Sequence, residues 1–262
     1  MEKINIKAIF FDIDGTTYDH YNHEISLSTQ IALTELKRIG YKVCFVTGRN
    51  IYEMKNLPPF FFNFDYDALI SDGGSIIRID GEIVDELPVS NADIKAVIEY
   101  CSIHNISLRY TFKDTVYFMP NVEQYVKDIF FKLYLFSPTV RNYTGGDIYN
   151  LLAYTHTRKE KADIAKLLNN NSFLDLQDCL EILNTKAGKH LGIEMVLKRW
   201  NLSMNDCFAF GDGYNDIPML TSVGYGVAMG NANEDLKACA WKVCLPINED
   251  GIYKILKEYH II

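Results

Sequence analysis

The chain has 262 residues, 48% of them hydrophobic and 23% charged, with a formal net charge of −8. That apolar share excludes a disordered chain, and a sequence this long buries roughly 70–75% of its unfolded surface without disulfide or metal staples. The acidic balance excludes a binder of phosphate backbones, which needs clustered Lys and Arg, so no nucleic-acid partner is expected. No uncharged stretch approaches the roughly 20 residues that span a bilayer, so no membrane partner is expected. Glu2 and Lys3 precede a short apolar run that meets Asp12 and Asp14 at once, leaving no room for a signal peptide. Cys44, Cys101, Cys179, Cys207, Cys239 and Cys244 form no CxxC pair. They read as reduced, buried thiols of a cytoplasmic protein.

In chain order, residues 6–13 form an apolar run ended by carboxylates and Gly15, which suits a buried parallel strand. Residues 28–39 place Ile31, Leu33, Leu36 and Ile39 at helical spacing, with Gly40 as the stop. A second strand, 41–46, ends in Thr47-Gly48-Arg49, and a helix candidate after it is closed by Pro58-Pro59. Residues 59–66 (PFFFNFDY) read as packing, because Phe at such density is usually buried. A third strand, 67–71, ends in Asp72-Gly73-Gly74. Alternating strands and helices are the grammar of a doubly wound α/β sheet.

After Gly81 the grammar changes. Helices are expected at 91–104, 121–136 and 158–169, and strands at 107–112, 116–119, 149–155, 173–176 and 180–183. Helices carried by paired strands indicate an α+β layer, placed at residues 83–184 and inserted into a larger unit formed by 1–82 and 185–262. From Lys189 the parallel grammar returns, with helices at 192–200, 217–222 and 233–240, strands at 207–210, 226–229 and 241–243, and a C-terminal helix.

Strand ends carry the polar residues: Asp12 and Asp14, Thr47, Asp72, and Asp212. In open α/β sheets ligands bind outside the carboxyl ends of strands, so these residues converge on one crevice. Asp12, Asp14, Asp212 and Asp216 would put several carboxylates there, which is costly without a cation. Hard oxygen ligands around a phosphate point to magnesium. The histidines show no metal spacing and read as ordinary surface or packing residues.

Phe10-Phe11-Asp12-Ile13-Asp14-Gly15-Thr16, Val46-Thr47-Gly48-Arg49, Lys189, and Gly211-Asp212-Gly213-Tyr214-Asn215-Asp216 resemble the four ordered motifs of the haloacid dehalogenase superfamily. The tail, Val227-Ala228-Met229-Gly230-Asn231-Ala232 and Asn248-Glu249-Asp250-Gly251, is similar to that of its Cof-type phosphatases, whose type IIB cap sits between the second and third motifs. The resemblance covers the whole chain. It implies a Rossmann-like core with an inserted α+β cap, and a Mg2+-dependent phosphatase acting on a small phosphorylated metabolite. Asp12 would be the nucleophile and Asp14 the acid and base. Asp12, the Asp14 carbonyl and Asp212 would hold the metal, and Thr47, the Gly48 N–H and Asn215 the phosphate. Lys189 would neutralise developing charge, supported by Asp216.

The chain departs from the pattern at Asp72, where the family often has Asn; an acid there is a poor phosphate contact. Lys186 competes with Lys189, but the helix that follows favours Lys189. Arg49 touches substrate or pairs with an acid. Arg109, Tyr117 and Arg141 are the expected substrate readers in the cap, with sugar phosphates slightly ahead of nucleotide- or vitamin-type phosphates. A monomer or weak homo-oligomer is expected. The alternatives are a phosphomutase on the same scaffold, which must grip a second phosphate, and a non-catalytic phospho-acceptor module, which would not need both Asp12 and Asp14.

Overall fold

The computed structural model describes residues 6–262, so Glu2 and Lys3 lie outside the described residues. In chain order the first half runs β1 (Ala8–Asp12), α1 (Leu27–Ile39), β2 (Lys42–Val46), α2 (Pro59–Asn63), β3 (Ala68–Ser71), β4 (Ile76–Ile79) and β5 (Glu82–Glu86). There follow α3 (Asn91–Ile103), β6 (Ser107–Thr111), β7 (Val116–Phe118), α4 (Gln124–Tyr134), β8 (Thr139–Val140), β9 (Asn150–Tyr154), α5 (Arg158–Leu167), β10 (Asn171–Asp175) and β11 (Leu180–Asn184). The chain closes with α6 (Lys189–Arg199), β12 (Cys207–Gly211), α7 (Ile217–Ser222), β13 (Tyr225–Ala228), α8 (Glu234–Cys239), β14 (Lys242–Val243) and α9 (Gly251–Glu258).

The larger sheet has the order β14-β13-β12-β1-β2-β3-β4-β5. Strands β14 to β3 are mutually parallel, while β4 and β5 join antiparallel at the edge. The central strands are buried on both faces. Ile9, Phe11, Phe45 and Phe210 pack under α1 and α9, and Phe10, Cys44, Val46 and Ala209 pack under α6, α7 and α8. Alternation of side chains across the pleat produces these two layers. Phe11 stacks on Phe210 with ring centroids 5.0 Å apart, which ties β1 to β12.

Local chemistry sets the helix ends, with some departures from expectation. Ser26 caps α1 by accepting from the Thr29 N–H, and Gly40 ends it in the left-handed region. Its buried stripe is Thr29, Ala32, Leu33 and Leu36, whereas Ile31 and Ile39 are exposed. The helix expected before Pro58-Pro59 is reduced to one 3-10 turn at Glu53–Asn56, and Pro59 begins α2, as suits a residue whose fixed φ and missing N–H fit the first turn. Phe61, Phe64 and Tyr66 then pack edge-on around Phe45. The β4–β5 hairpin was not expected. Asp80 and Gly81, both at positive φ, make the tight turn whose twist matches paired strands. The expected break between residues 82 and 83 therefore falls at the head of β5, and the chain leaves the larger sheet after Glu86.

Between β5 and α6 lies a second sheet of order β10-β11-β9-β6-β7-β8, antiparallel except for β7–β8. Leu108, Tyr110, Leu151, Leu180 and Ile182 fill its outer face with α3 and α5. Phe118 and Tyr154 pack against Val126 and Phe130 of α4 on the inner face. The rest of the inner face is polar and turned to the larger sheet, carrying Arg109, Asn150 and Glu181. Among the described residues no helix is long and apolar enough to cross a membrane. Cys44, Cys101, Cys179 and Cys207 are buried free thiols, Cys244 is half-buried, and Cys239 is exposed, contrary to expectation.

Candidate active site

Register places the site. Asp12 pairs with Val46, and Phe11 with Phe210, so Asp12, Thr47 and Asp212 emerge together at the carboxyl edge of neighbouring parallel strands. Lys189, the first residue of α6, is buried and donates to Asp12 Oδ1 and to Asp216 Oδ1, both at 2.6 Å. Lys186 is exposed and makes no side-chain contact there. The other Asp216 oxygen accepts the backbone N–H groups of Asp212 at 3.0 Å and Gly213 at 2.9 Å. Asp216 thus fixes both the lysine and the Asp212 loop.

Asp12, Asp212 and Asp216 bring one carboxylate oxygen each to within 4.8 Å of one another. Burial raises the Asp12 pKa well above the usual range; Lys189 opposes this, and the neighbouring carboxylates add to it. Burial and Asp216 push Asp212 to about 7. Lys189 is driven upward because Asp12 and Asp216 outweigh its own burial. One ammonium faces three carboxylates, an arrangement short of positive charge. A divalent cation fits this donor set of hard oxygens, and Asp216, with both oxygens occupied, serves as support.

The loop after β1 wraps over this cluster. Gly15 sits at φ +76°, and a Cβ there would lie 2.7 Å from the Asp212 Cγ, so only glycine fits. Thr16 Oγ1 donates to Asp212 Oδ1 at 3.1 Å. Asn231 donates to the Gly15 carbonyl at 2.8 Å and Asn233 to the Asp212 carbonyl at 3.3 Å, which gives the tail motif a structural task.

Asp14 does not point into the carboxylate cluster. Arg49 Nε donates to its two oxygens at 3.0 and 2.9 Å, and His20 Nε2 lies 3.0 Å from Oδ1. Burial would raise the Asp14 pKa, but Arg49 and His20 prevail and hold it far below the usual carboxylate range. Arg49 pairs with an acid, and that acid belongs to the site. It also donates to the Leu133 carbonyl at 3.1 Å, at the end of α4, and stacks 4.6 Å from the Tyr134 ring. His20 was not foreseen as a site residue; nothing in its neighbourhood in the chain marks it.

Thr47 is buried, and its Oγ1 accepts the Arg49 N–H at 3.0 Å, a local turn with no helix directly after it. Gly48 and Asn215 are half-buried and face one another: a Cβ on Gly48 would lie 3.9 Å from Asn215 Nδ2. Asp72 is fully buried at φ +54° and turned to Asn50, whose Nδ2 donates to it at 3.0 Å. Asp72 is therefore structural in this chain. Of the three expected readers, Arg109 is buried against Glu53. Tyr117 and Arg141 pair with each other at 3.1 Å, with Arg141 exposed, so they read nothing at this site.

Three comparisons bear on this geometry. The family model for haloacid dehalogenase-like hydrolases matches residues 9–256. YkrA of Bacillus subtilis, named as a candidate phosphatase, is 30% identical over 262 residues, covering 98% of each chain. The HMP-PP phosphatase of Escherichia coli K12 is 29% identical over 245 residues, 87% of this chain and 85% of that protein. A solved structure described as a subclass IIB sugar phosphatase superposes with a TM-score of 0.90 at 26% identity, covering 98% of this chain and all of the other.

Proposed function

The chain belongs to the haloacid dehalogenase-like hydrolases and is a phosphatase of that family, and we propose that it hydrolyses phosphate monoesters of small metabolites with Mg2+, through an aspartyl-phosphate on Asp12. The carrying observation is Lys189 held between Asp12 and Asp216, with Asp212 beside them, at the ends of parallel strands. Asp12 attacks phosphorus in line, and Lys189 offsets charge developing on the phosphoryl oxygens. Thr47, the Gly48 N–H and Asn215 hold the remaining oxygens. Asp12, the Asp14 carbonyl and Asp212 would hold the metal, which when bound offsets repulsion between the nucleophile and its dianionic substrate.

Asp14 protonates the leaving alcohol, then takes a proton from the hydrolytic water. Clamped by Arg49 and His20 it is ionised, the state the second step requires. For the first step it must be protonated, so Arg49 has to move off it. We assign residues through 86 and from 185 to the catalytic unit, and those between to a cap that reads the substrate and excludes water. The relatives named for sugar phosphates and HMP-PP support a small phosphorylated metabolite as substrate. A mutase would need cations for a second phosphate, but Arg49 and Arg109, both buried, are already paired to Asp14 and Glu53.

Phosphate release from p-nitrophenyl phosphate tests the proposal. Chelation should abolish it, and Asp12→Asn should cost at least about 1,000-fold in kcat, because an amide cannot form the intermediate. Metal-independent turnover of equal size, or near-native turnover by Asp12→Asn, contradicts the mechanism.

A further inference from the structure

The cap sheet carries a buried carboxylate that the mechanism above does not use. Glu181, on β11, is 3% exposed. Its Oε1 accepts from Asn150 Nδ2 at 2.7 Å, and Asn150 Oδ1 accepts from Arg109 Nη1 at 2.8 Å. Arg109 has only donors, so it fixes which end of the Asn150 amide faces Glu181. Arg109 is itself gripped by Glu53 of the larger unit through a two-pronged ion pair. Glu53, Arg109 and Asn150 thus aim one carboxylate, that of Glu181.

Its target is the mouth of the catalytic crevice. A Cβ on Gly48 would lie 3.8 Å from Glu181 Oε1, and one on Gly73 would lie 2.6 Å from the same atom. The carboxylate therefore hangs over the strand ends that flank the phosphate position. It borders a cavity of about 270 Å³ whose lining includes Ser172, Leu183, Lys189, His190 and Asn215. The size suits a leaving group of a few carbons to one ring.

A buried carboxylate can accept about four hydrogen bonds, yet among the described residues Asn150 is the one donor found for Glu181. Burial raises its pKa, and Arg109, committed to Glu53, opposes that only from a distance. Among the described residues Lys189 is the one Lys or Arg lining the cavity, and it is held by Asp12 and Asp216. A donor brought by the substrate would satisfy Glu181, whereas an anionic substituent would meet uncompensated negative charge.

We propose that Glu181, oriented by Asn150 and Arg109, selects the alcohol part of the substrate by accepting hydrogen bonds from its hydroxyl groups and repelling leaving groups that carry a carboxylate or second phosphate. The preferred substrates are neutral polyol or sugar monophosphates. This rests on the phosphatase reading of the Asp12 site.

The test compares glycerol 3-phosphate with 3-phosphoglycerate, which differ in a terminal CH2OH against a carboxylate, and with p-nitrophenyl phosphate, which has no donor. Wild-type enzyme should favour glycerol 3-phosphate over 3-phosphoglycerate by more than about 10-fold in kcat/KM. Glu181→Gln, which keeps an acceptor and removes the charge, should shrink that ratio to within about 3-fold by improving 3-phosphoglycerate. Glu181→Ala should lose about 10–100-fold on glycerol 3-phosphate beyond any loss on p-nitrophenyl phosphate, and Asn150→Ala a smaller loss in the same direction. Turnover of p-nitrophenyl phosphate by each variant reports that it is folded. A wild-type ratio near one, or a ratio unmoved in Glu181→Gln, overturns this inference while leaving the phosphatase reading intact. Failure of wild type to turn over any of the three with Mg2+ overturns both.

Discussion

Replacing Asp72 by asparagine isolates the cost of a buried carboxylate outside the Asp12, Asp212 and Asp216 cluster. Asp72 is fully buried, and burial, only partly offset by Arg109 and the Asn50 hydrogen bond, pushes its pKa from 3.8 to about 7. Asparagine is isosteric and tolerates the φ of +54° at this position. Because the folded pKa lies above the unfolded one, the stability linked to Asp72 is complete below pH 3.8 and is lost as pH rises through about 7. A rise of that size, at ~1.36 kcal/mol per pH unit, amounts to about 4 kcal/mol over the whole titration, of which about 2–3 kcal/mol falls between pH 5 and 8. Asparagine is neutral throughout, so the stability of Asp72→Asn minus that of wild type should widen by about 2–3 kcal/mol from pH 5 to pH 8. Urea unfolding at several pH values, in chelator, measures it, and titration of the Asp12, Asp212 and Asp216 carboxylates cancels in the difference. Parallel stability profiles for the two proteins would refute the assignment of a buried, neutral Asp72.

Arg109→Ala leaves Glu53 buried without its partner and should cost about 3–5 kcal/mol in unfolding experiments, while Arg109→Met with Glu53→Leu should recover most of that. A loss below about 1 kcal/mol would mean the pair is solvated. Gly15→Ala forces a Cβ against the Asp212 carboxylate, so calorimetry should show Mg2+ affinity falling at least about 10-fold, with about 1–2 kcal/mol of strain from the left-handed backbone. Native affinity in that variant would place the metal away from Asp212. Metal must displace the proton that Asp212 holds up to about pH 7, so the Tm increase given by Mg2+ should grow from pH 5.5 to 8. An increase that is flat or falls with pH argues against Asp212 as a ligand.

The strands, most of the helices and the motif positions were legible in the sequence because each rests on a local signal. Apolar runs ended by Asp12, Thr47 and Asp212 mark parallel strands, and ligands gather at their carboxyl ends wherever such a sheet forms. The β4–β5 hairpin carries its own signal in Asp80-Gly81, whose positive φ angles return the chain onto the larger sheet. Other features had no local signal. Arg49 and Asp14 are 35 positions apart, Arg109 and Glu53 are 56 apart, and Asn150 and Glu181 are 31 apart. In a linear reading each is a charge or amide that water could satisfy equally well. Only when the inner face of the cap sheet closes on the larger sheet are these groups stripped of water, and then each must find its partner across the two layers. Strand order and side-chain alternation alone turn Arg109, Asn150 and Glu181 toward that same gap. The sequence by itself therefore determined the edge where Asp12, Thr47 and Asp212 gather, written in short apolar strands and their terminal polar residues. Tertiary structure decided which acid Arg49 clamps and which carboxylate overhangs the crevice, because desolvation by a second layer exists only once that layer has docked.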